Sequence, residues 1–103
     1  MNKGNIKVSI LYPSGEGKTF NMDYYINQHM PMVQKSLSEG VLHVTVEKGV
    51  DNMPYLTMTN IYYESMSSVE KNFLLNSNRE KVQNDIPNFT NTTPIIQISE
   101  III

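Results

Sequence analysis

The sequence of 103 residues contains no cysteine and no excess of positive charge. Without cysteine the chain can form no disulfide, no thiolate nucleophile and no cysteine-ligated metal site. Its 8 lysine and arginine residues are outnumbered by 10 aspartate and glutamate residues, which gives a formal net charge of −2. Because sequence-independent binding to nucleic acid requires an excess of cations that displace counterions, we expect no nucleic-acid partner.

Long hydrophobic runs are also missing. No stretch approaches the roughly 20 apolar residues of a membrane span, and the N-terminus lacks the apolar core and cleavage site of a signal peptide. We therefore expect a cytoplasmic protein with no membrane partner. His29 and His43 lie on different predicted elements, and no carboxylate stands at ligand spacing from either. This pattern predicts no metal site, and we expect no cofactor.

The apolar pattern predicts six elements in the order β-α-β-β-α-β within a single domain covering residues 1–103. Strands are predicted over 6–12, 41–48, 55–63 and 95–102. One helix begins after Asn21 and is interrupted by Pro31, and a second begins near Ser67, with a break at 76–78. This order predicts an α+β, ferredoxin-like fold, with a four-stranded antiparallel sheet and both helices on one face.

The sheet face that the helices leave open is predicted to be mixed in polarity. We place Lys7, Ser9, Leu11, His43, Thr45, Thr57, Thr59, Ile61, Gln97 and Ser99 on it, and Leu42, Leu56, Met58, Asn60 and Tyr62 on the helix face. Only 17% of the residues are charged, where about 25% is usual. Such a surface suits a sheet-to-sheet homodimer, with the isoleucines at 101–103 packed on the second subunit.

His29 is the residue that we single out for chemistry. It follows Tyr25 by one helical turn and precedes Pro31, where the helix is expected to loosen. A neutral imidazole there could transfer protons near neutral pH. Equally, His29 could be a core histidine that bonds a carbonyl freed by the proline. Tyr12 and Tyr62 are expected to reach the region of His29, and Asn60 to orient a ligand there or to be a satisfied core residue.

Several runs of the sequence resemble the EthD family, which is named for ethyl tert-butyl ether degradation. They include Tyr24-Tyr25-x-x-x-His29-x-Pro31 and the run from Asp85 through Ile-Pro-Asn-Phe-Thr to Asn91. The resemblance implies a dimeric α+β barrel, in which two ferredoxin-like subunits pack their sheets face to face. It also implies a small apolar pocket between sheet and helices, with His29 as a proton-transfer group.

Two functions stay open at this point. In the first, an enzyme isomerises, cyclises or dehydrates a small hydrophobic or aromatic compound without a metal. Its catalytic residues would be His29, Tyr25 and Tyr12, and its substrate-binding residues Phe20, Tyr24, Asn60 and Tyr62. In the second, the same pocket belongs to a binding or accessory protein of a degradation pathway, and His29 is structural. A pocket filled by side chains would favour a third, purely structural role.

Overall fold

Four segments in which apolar and polar residues tend to alternate form one antiparallel sheet in the computed structural model. The structure describes residues 1–37, 40–74 and 78–103. The strands are β1 (Ile6–Pro13), β2 (Val41–Lys48), β3 (Tyr55–Tyr63) and β4 (Ile95–Glu100). Their order across the sheet is β2-β3-β1-β4. This is the ferredoxin-like arrangement, and the α+β class predicted from the sequence is confirmed. Strand β4 ends at Glu100, two residues before the predicted end.

The first helical segment changes its winding where the sequence predicted an interruption. Helix α1 comprises an α-helical turn (Met22–Tyr24), a π-helical turn (Tyr25–His29) and a second α-helical stretch (Met30–Ser36). Asn21 caps its start, since its Oδ1 accepts a hydrogen bond of 3.0 Å from the amide of Tyr24. Pro31 has no amide hydrogen to continue the α-helical ladder. The wider turn that ends at His29 accommodates this loss.

The second helical segment is also built from short pieces. Helix α2 comprises Met66–Val69 and a π-helical turn at Glu70–Leu74, and helix α3 covers Arg79–Asn84. A 3-10 helix (Ile86–Asn88) follows. Ser65, rather than the predicted Ser67, caps α2, because its Oγ accepts from the amide of Ser68 at 3.3 Å. Of the break predicted at 76–78, residues 76 and 77 lie outside the described residues.

Strand β3 faces the helices with the opposite set of side chains from the predicted one. The register pairs Val8 with Ile61 and Tyr12 with Thr57. Directly opposed residues lie on the same face of an antiparallel sheet. The residues of β3 that pair with the helix-facing residues of β1 therefore face the helices as well. The helix face of β3 therefore carries Thr57, Thr59, Ile61 and Tyr63, all of which are buried. Leu56, Met58, Asn60 and Tyr62 lie on the open face, contrary to the prediction.

The start of β2 also differs from the prediction. The pairing with β3 shifts between Val41 and His43. This irregularity brings Val41 against the core and leaves Leu42 exposed, although Leu42 was predicted to face the helices. From Val44 onward the predicted alternation holds.

Two groups of apolar side chains fill the space between sheet and helices. One is formed by Ile6, Val8, Ile61, Tyr63 and Val69. The other is formed by Tyr12, Tyr25, Met30 and Phe89, and the ring of His29 packs against Tyr25 and Phe89. Within the described ranges, no helix has the length and apolar character needed to cross a membrane.

Gly40 offers a test of the close packing between β2 and α2. Its φ is +90°, and a Cβ there would lie 2.6 Å from Ser68 Cβ. Gly4 has a similar φ of +92° with nothing within 4 Å of such a Cβ. We expect Gly4→Ala to lower the free energy of unfolding by about 1 kcal/mol through backbone strain. Gly40→Ala should lose a further ~1–3 kcal/mol by overpacking.

Urea denaturation of the two variants measures both effects. Equal losses for Gly4→Ala and Gly40→Ala would show that the contact with Ser68 relaxes at no cost. The comparison isolates packing because both glycines have nearly the same φ.

Candidate functional site

An aromatic cluster brings the two EthD-like runs of the sequence together. Phe89, just after the 3-10 helix, has ring-centroid distances of 4.9 Å to Tyr25, 5.8 Å to Tyr12 and 4.6 Å to His29. Phe20 packs edge-on against Tyr12 and Tyr25. These contacts fix α1 against the segment that follows α3, and they hold the imidazole ring within the cluster.

The imidazole of His29 is oriented by a buried carboxylate. His29 Nδ1 lies 2.9 Å from Asp85 Oδ2, and the His29 side chain is 3% exposed. Asp85 Oδ1 accepts two further hydrogen bonds, from the Tyr24 hydroxyl at 2.7 Å and from Asn88 Nδ2 at 2.9 Å. With Nδ1 committed to Asp85, Nε2 is the ring nitrogen that remains for a ligand.

The two partners of this pair titrate in ways that favour a neutral imidazole beside an ionised carboxylate. Burial lowers the pKa of His29 below 6.5, and the hydrogen bond and charge of Asp85 oppose that shift only in part. Burial by itself raises the pKa of Asp85. Hydrogen bonds from Asn88, Tyr24 and His29 outweigh it, so the net pKa lies below the usual 3.8. At neutral pH, Nδ1–H therefore donates to Asp85, and Nε2 carries a free lone pair.

A cavity of about 110 Å³ lies beside this ring, between the helices and the sheet. Its walls are mainly apolar, and His29, Tyr25 and Tyr12 all contribute to them. Helix α1 supplies Met30 and Val33, and the opposite wall comes from α2, α3 and the sheet. Because apolar surroundings strengthen electrostatic interactions, the Asp85 carboxylate acts more strongly on this ring than it would in water.

Two buried tyrosines belong to the same wall. The Tyr25 hydroxyl forms a short hydrogen bond with Thr59 Oγ1, and the rings of Tyr12 and Tyr25 pack edge-on with centroids 5.8 Å apart. Burial is the main cause that raises the pKa of both phenols. The two groups therefore keep their protons at neutral pH and remain hydrogen-bond donors.

The structure brings together three of the residues predicted from the sequence and separates the others. His29, Tyr25 and Tyr12 line one cavity, as expected. Phe20 and Tyr24 lie next to them but outside the cavity wall. Phe20 packs behind the two tyrosine rings, and Tyr24 uses its hydroxyl to hold Asp85. Both therefore support the site instead of contacting a ligand in the cavity.

The predicted placement of Asn60 and Tyr62 in the pocket is wrong. Both side chains lie on the open face of the sheet, because β3 has the opposite phase to the predicted one. Asn60 is 3% exposed and accepts a hydrogen bond of 2.8 Å from Ser9 Oγ. Its Nδ2 donates to Glu47 Oε2 at 3.1 Å and to Thr45 Oγ1 at 3.3 Å. Asn60 is thus a satisfied polar residue of the other face.

Asp85, which bonds the candidate residue His29, is the part of the site that could not be predicted from the sequence. It lies 56 positions after His29, so no local spacing could pair the two. The available signal was the second EthD-like run, which begins at Asp85 and supplies Asn88 and Phe89 as well. The described residues contain no group of three or more metal-ligating side chains that could hold an ion.

Fold and site together define an α+β protein with an oriented histidine in an apolar cavity. No family model matches the chain, and no curated protein does so either. Among solved structures, an EthD-like protein from Ralstonia eutropha is 30% identical, with a TM-score of 0.82, and the match covers 99% of this chain and 96% of that one.

An EthD family protein from Bacillus halodurans is 19% identical, with a TM-score of 0.69 and coverage of 93% and 97%. A dimeric ferredoxin-like protein of unknown function from Bacteroides fragilis is 6% identical, with a TM-score of 0.60 and coverage of 97% and 99%. The likeness to the Ralstonia eutropha protein extends over both chains almost completely. The chain belongs to the EthD family.

The charge balance at His29 predicts how the ring titrates. In a pH titration followed by NMR, we expect the His29 pKa below 6.5, and Asp85→Asn should lower it further by removing the opposing charge. His43→Gln identifies the signal, since the chain has 2 histidines. The unfolded chain binds this proton more readily than the folded one. The free energy of unfolding should therefore fall as the pH drops below 6.5, down to the folded pKa.

His29→Gln should remove that part of the pH dependence. A His29 pKa above 6.5, or one that rises in Asp85→Asn, would contradict the assignment of a neutral, buried imidazole.

Proposed function

We propose that this protein is an enzyme that transfers a proton on a small apolar or aromatic compound without a cofactor. The observation that carries the proposal is the hydrogen bond of 2.9 Å between His29 Nδ1 and Asp85, which leaves Nε2 for a ligand in the cavity. The pair supplies what a general base requires, namely a neutral imidazole and a carboxylate that orients it. The predicted cytoplasmic location remains a prediction.

In the proposed reaction, Nε2 of neutral His29 accepts a proton from an acidic C–H group of the substrate. The imidazolium that forms is stabilised by the Asp85 carboxylate through the Nδ1–H hydrogen bond. The same nitrogen can return the proton to another atom of the substrate. Isomerisation, cyclisation and dehydration all fit this order of proton transfers, since each can begin with removal of a proton next to an activating group.

The negative charge that develops on the substrate requires donors. Tyr12 and Tyr25 line the cavity beside His29, and their phenols remain protonated at neutral pH because burial raises both pKa values. Thr59 can donate to the Tyr25 oxygen, which leaves the Tyr25 proton free to donate to another oxygen. We assign the two tyrosines the role of stabilising an enolate or phenolate oxygen.

A second candidate function is the binding of a small apolar molecule without turnover. It is favoured by the mainly apolar cavity wall and by the Tyr24–Asp85–His29 chain of hydrogen bonds, which also ties two distant segments together. Under this alternative, His29 would be a structural residue. The two functions differ in whether Nε2 accepts a proton.

The base can be tested with a nitrobenzisoxazole, a small aromatic probe that opens when a base removes its ring C–H proton. The C–H electron pair forms the third bond of a nitrile, the N–O bond breaks with its electron pair going to oxygen, and the single product is a coloured cyanonitrophenolate. We expect His29→Gln to lower kcat/KM by at least about 100-fold, the usual contribution of a general base. The wild-type rate should fall with pH below the His29 pKa, which lies under 6.5.

His43→Gln is the matched control, because His43 is an exposed histidine on the open face of the sheet. It should retain the wild-type rate. If His29→Gln and His43→Gln open the probe equally fast, His29 is not the base, and the binding role is favoured.

We also propose that the chain forms a homodimer through the open face of its sheet. That face carries Leu11, Met58 and Ile95 side by side in the register of β3, β1 and β4. Next to them lies the buried hydrogen-bond group of Ser9 and Asn60. The Bacteroides fragilis protein of similar fold is dimeric. Two such faces would also cover part of the apolar C-terminus, where Ile103 is fully exposed.

Leu11→Lys tests the dimer, because the lysine would put a charge between the apolar side chains of Met58 and Ile95 on the proposed interface. We expect it to convert a dimer to a monomer in light scattering after size-exclusion chromatography. Val50→Lys is the control, as Val50 is 75% exposed in the β2–β3 turn. A stable interface buries about 800 Å² per partner and should hold the dimer together during chromatography. A monomeric wild type would therefore exclude the interface. An unchanged dimer in Leu11→Lys would also exclude this face.

A further inference from the structure

One permanently charged side chain lies in the cavity wall. Arg79, the first residue of α3, lines the cavity together with His29. Among the described residues, no lysine, aspartate or glutamate does so. The cavity is thus an apolar space with one fixed positive charge at its wall, and this charge plays no part in the proton transfer proposed above.

An aromatic ring and a backbone carbonyl contact the guanidinium of Arg79. It lies 5.4 Å from the centroid of the Phe73 ring, and Nη1 donates a hydrogen bond of 3.4 Å to the carbonyl of Leu74. Within the described part of the chain, no acidic group approaches it to form an ion pair. Most of its five N–H donors therefore remain available, in the fork geometry that matches a carboxylate.

The position of Arg79 along α3 relates it to the reacting group. Arg79 precedes Asp85 by six residues, and at a rise of 1.5 Å per residue this separates them by about 9 Å along the helix. Asp85 is the residue that holds His29. A ligand that pairs with Arg79 would share its cavity wall with His29, since both side chains line the same space. Gln83, one turn after Arg79, adds an amide to the same wall.

We propose that the ligand of this cavity is an acidic compound, whose carboxylate or similar anionic group pairs with Arg79 while its apolar body fills the space beside His29. The proposal rests on the proposed function in taking this cavity as the substrate site, and it adds the chemical class of the substrate. The guanidinium selects for the anion, and the apolar wall selects for the ring or chain attached to it.

Benzoate and benzamide form a matched pair of probes, because they have nearly the same shape and differ in charge. We expect calorimetric or NMR titration to show that the wild-type chain binds benzoate about 10- to 100-fold more tightly than benzamide. Arg79→Met keeps the apolar stem but removes the charge. It should weaken benzoate to the level of benzamide and leave benzamide binding unchanged.

Lys81→Gln is the matched control for charge. Lys81 is an exposed cation on the same helix and does not line the cavity. Its removal changes the net charge as much as Arg79→Met does, yet benzoate binding should stay as in the wild type. An equal loss in both variants would mean that benzoate responds to the overall charge of the protein, and the proposal would be overturned.

His29→Gln separates this proposal from the proposed function. It should keep the preference for benzoate while losing the opening of the nitrobenzisoxazole. If the wild-type chain binds benzoate through Arg79 but shows no base activity, the proposal of an acidic ligand stands and the proposed enzyme function fails. Equal binding of benzoate and benzamide, benzoate binding unchanged in Arg79→Met, or no benzoate binding at about 10 mM would overturn the role of Arg79.

Discussion

The hydrogen bond between His29 and Asp85 is the interaction on which the arrangement of the site depends. It joins two segments that are 56 residues apart, and it occupies Nδ1 of the ring, so that Nε2 is the nitrogen left for other partners. Burial favours the neutral imidazole, whereas the carboxylate favours the protonated one, and burial has the larger effect. A group poised between these opposing influences can accept a proton and be stabilised once it has done so.

The local chain geometry explains why His29 reaches this position. Pro31 cannot donate to the helical ladder, and the π-helical turn at Tyr25–His29 directly precedes the α-helical stretch that contains it. Within that turn, the rings of Tyr25 and His29 stack with centroids 5.2 Å apart. The widened turn and the stacking hold the imidazole against Phe89, so the ring has little freedom to leave the carboxylate.

Much of the fold could be predicted from the sequence, because β1 shows a clear alternation and the order of elements admits few topologies. The phase of β3 could not, because both of its faces are partly apolar. Leu56 and Met58 made one face look like core, but the small Thr59 is what fits beneath Tyr25 and bonds its hydroxyl. His29 was identified by its place in a motif, whereas Asp85 needed the tertiary fold to show its partner.

Side chains alternate along β1 between the cavity and the open face of the sheet. Ile10 and Tyr12 point into the cavity, and Ser9 and Leu11 point to the open face. The cavity therefore lies on the helix side of the sheet, and the proposed dimer contact lies on the opposite side. Leu11 is not part of the cavity wall, so a substitution there changes the proposed interface without changing a residue that lines the cavity. The alternation of one strand thus keeps the two surfaces separately testable.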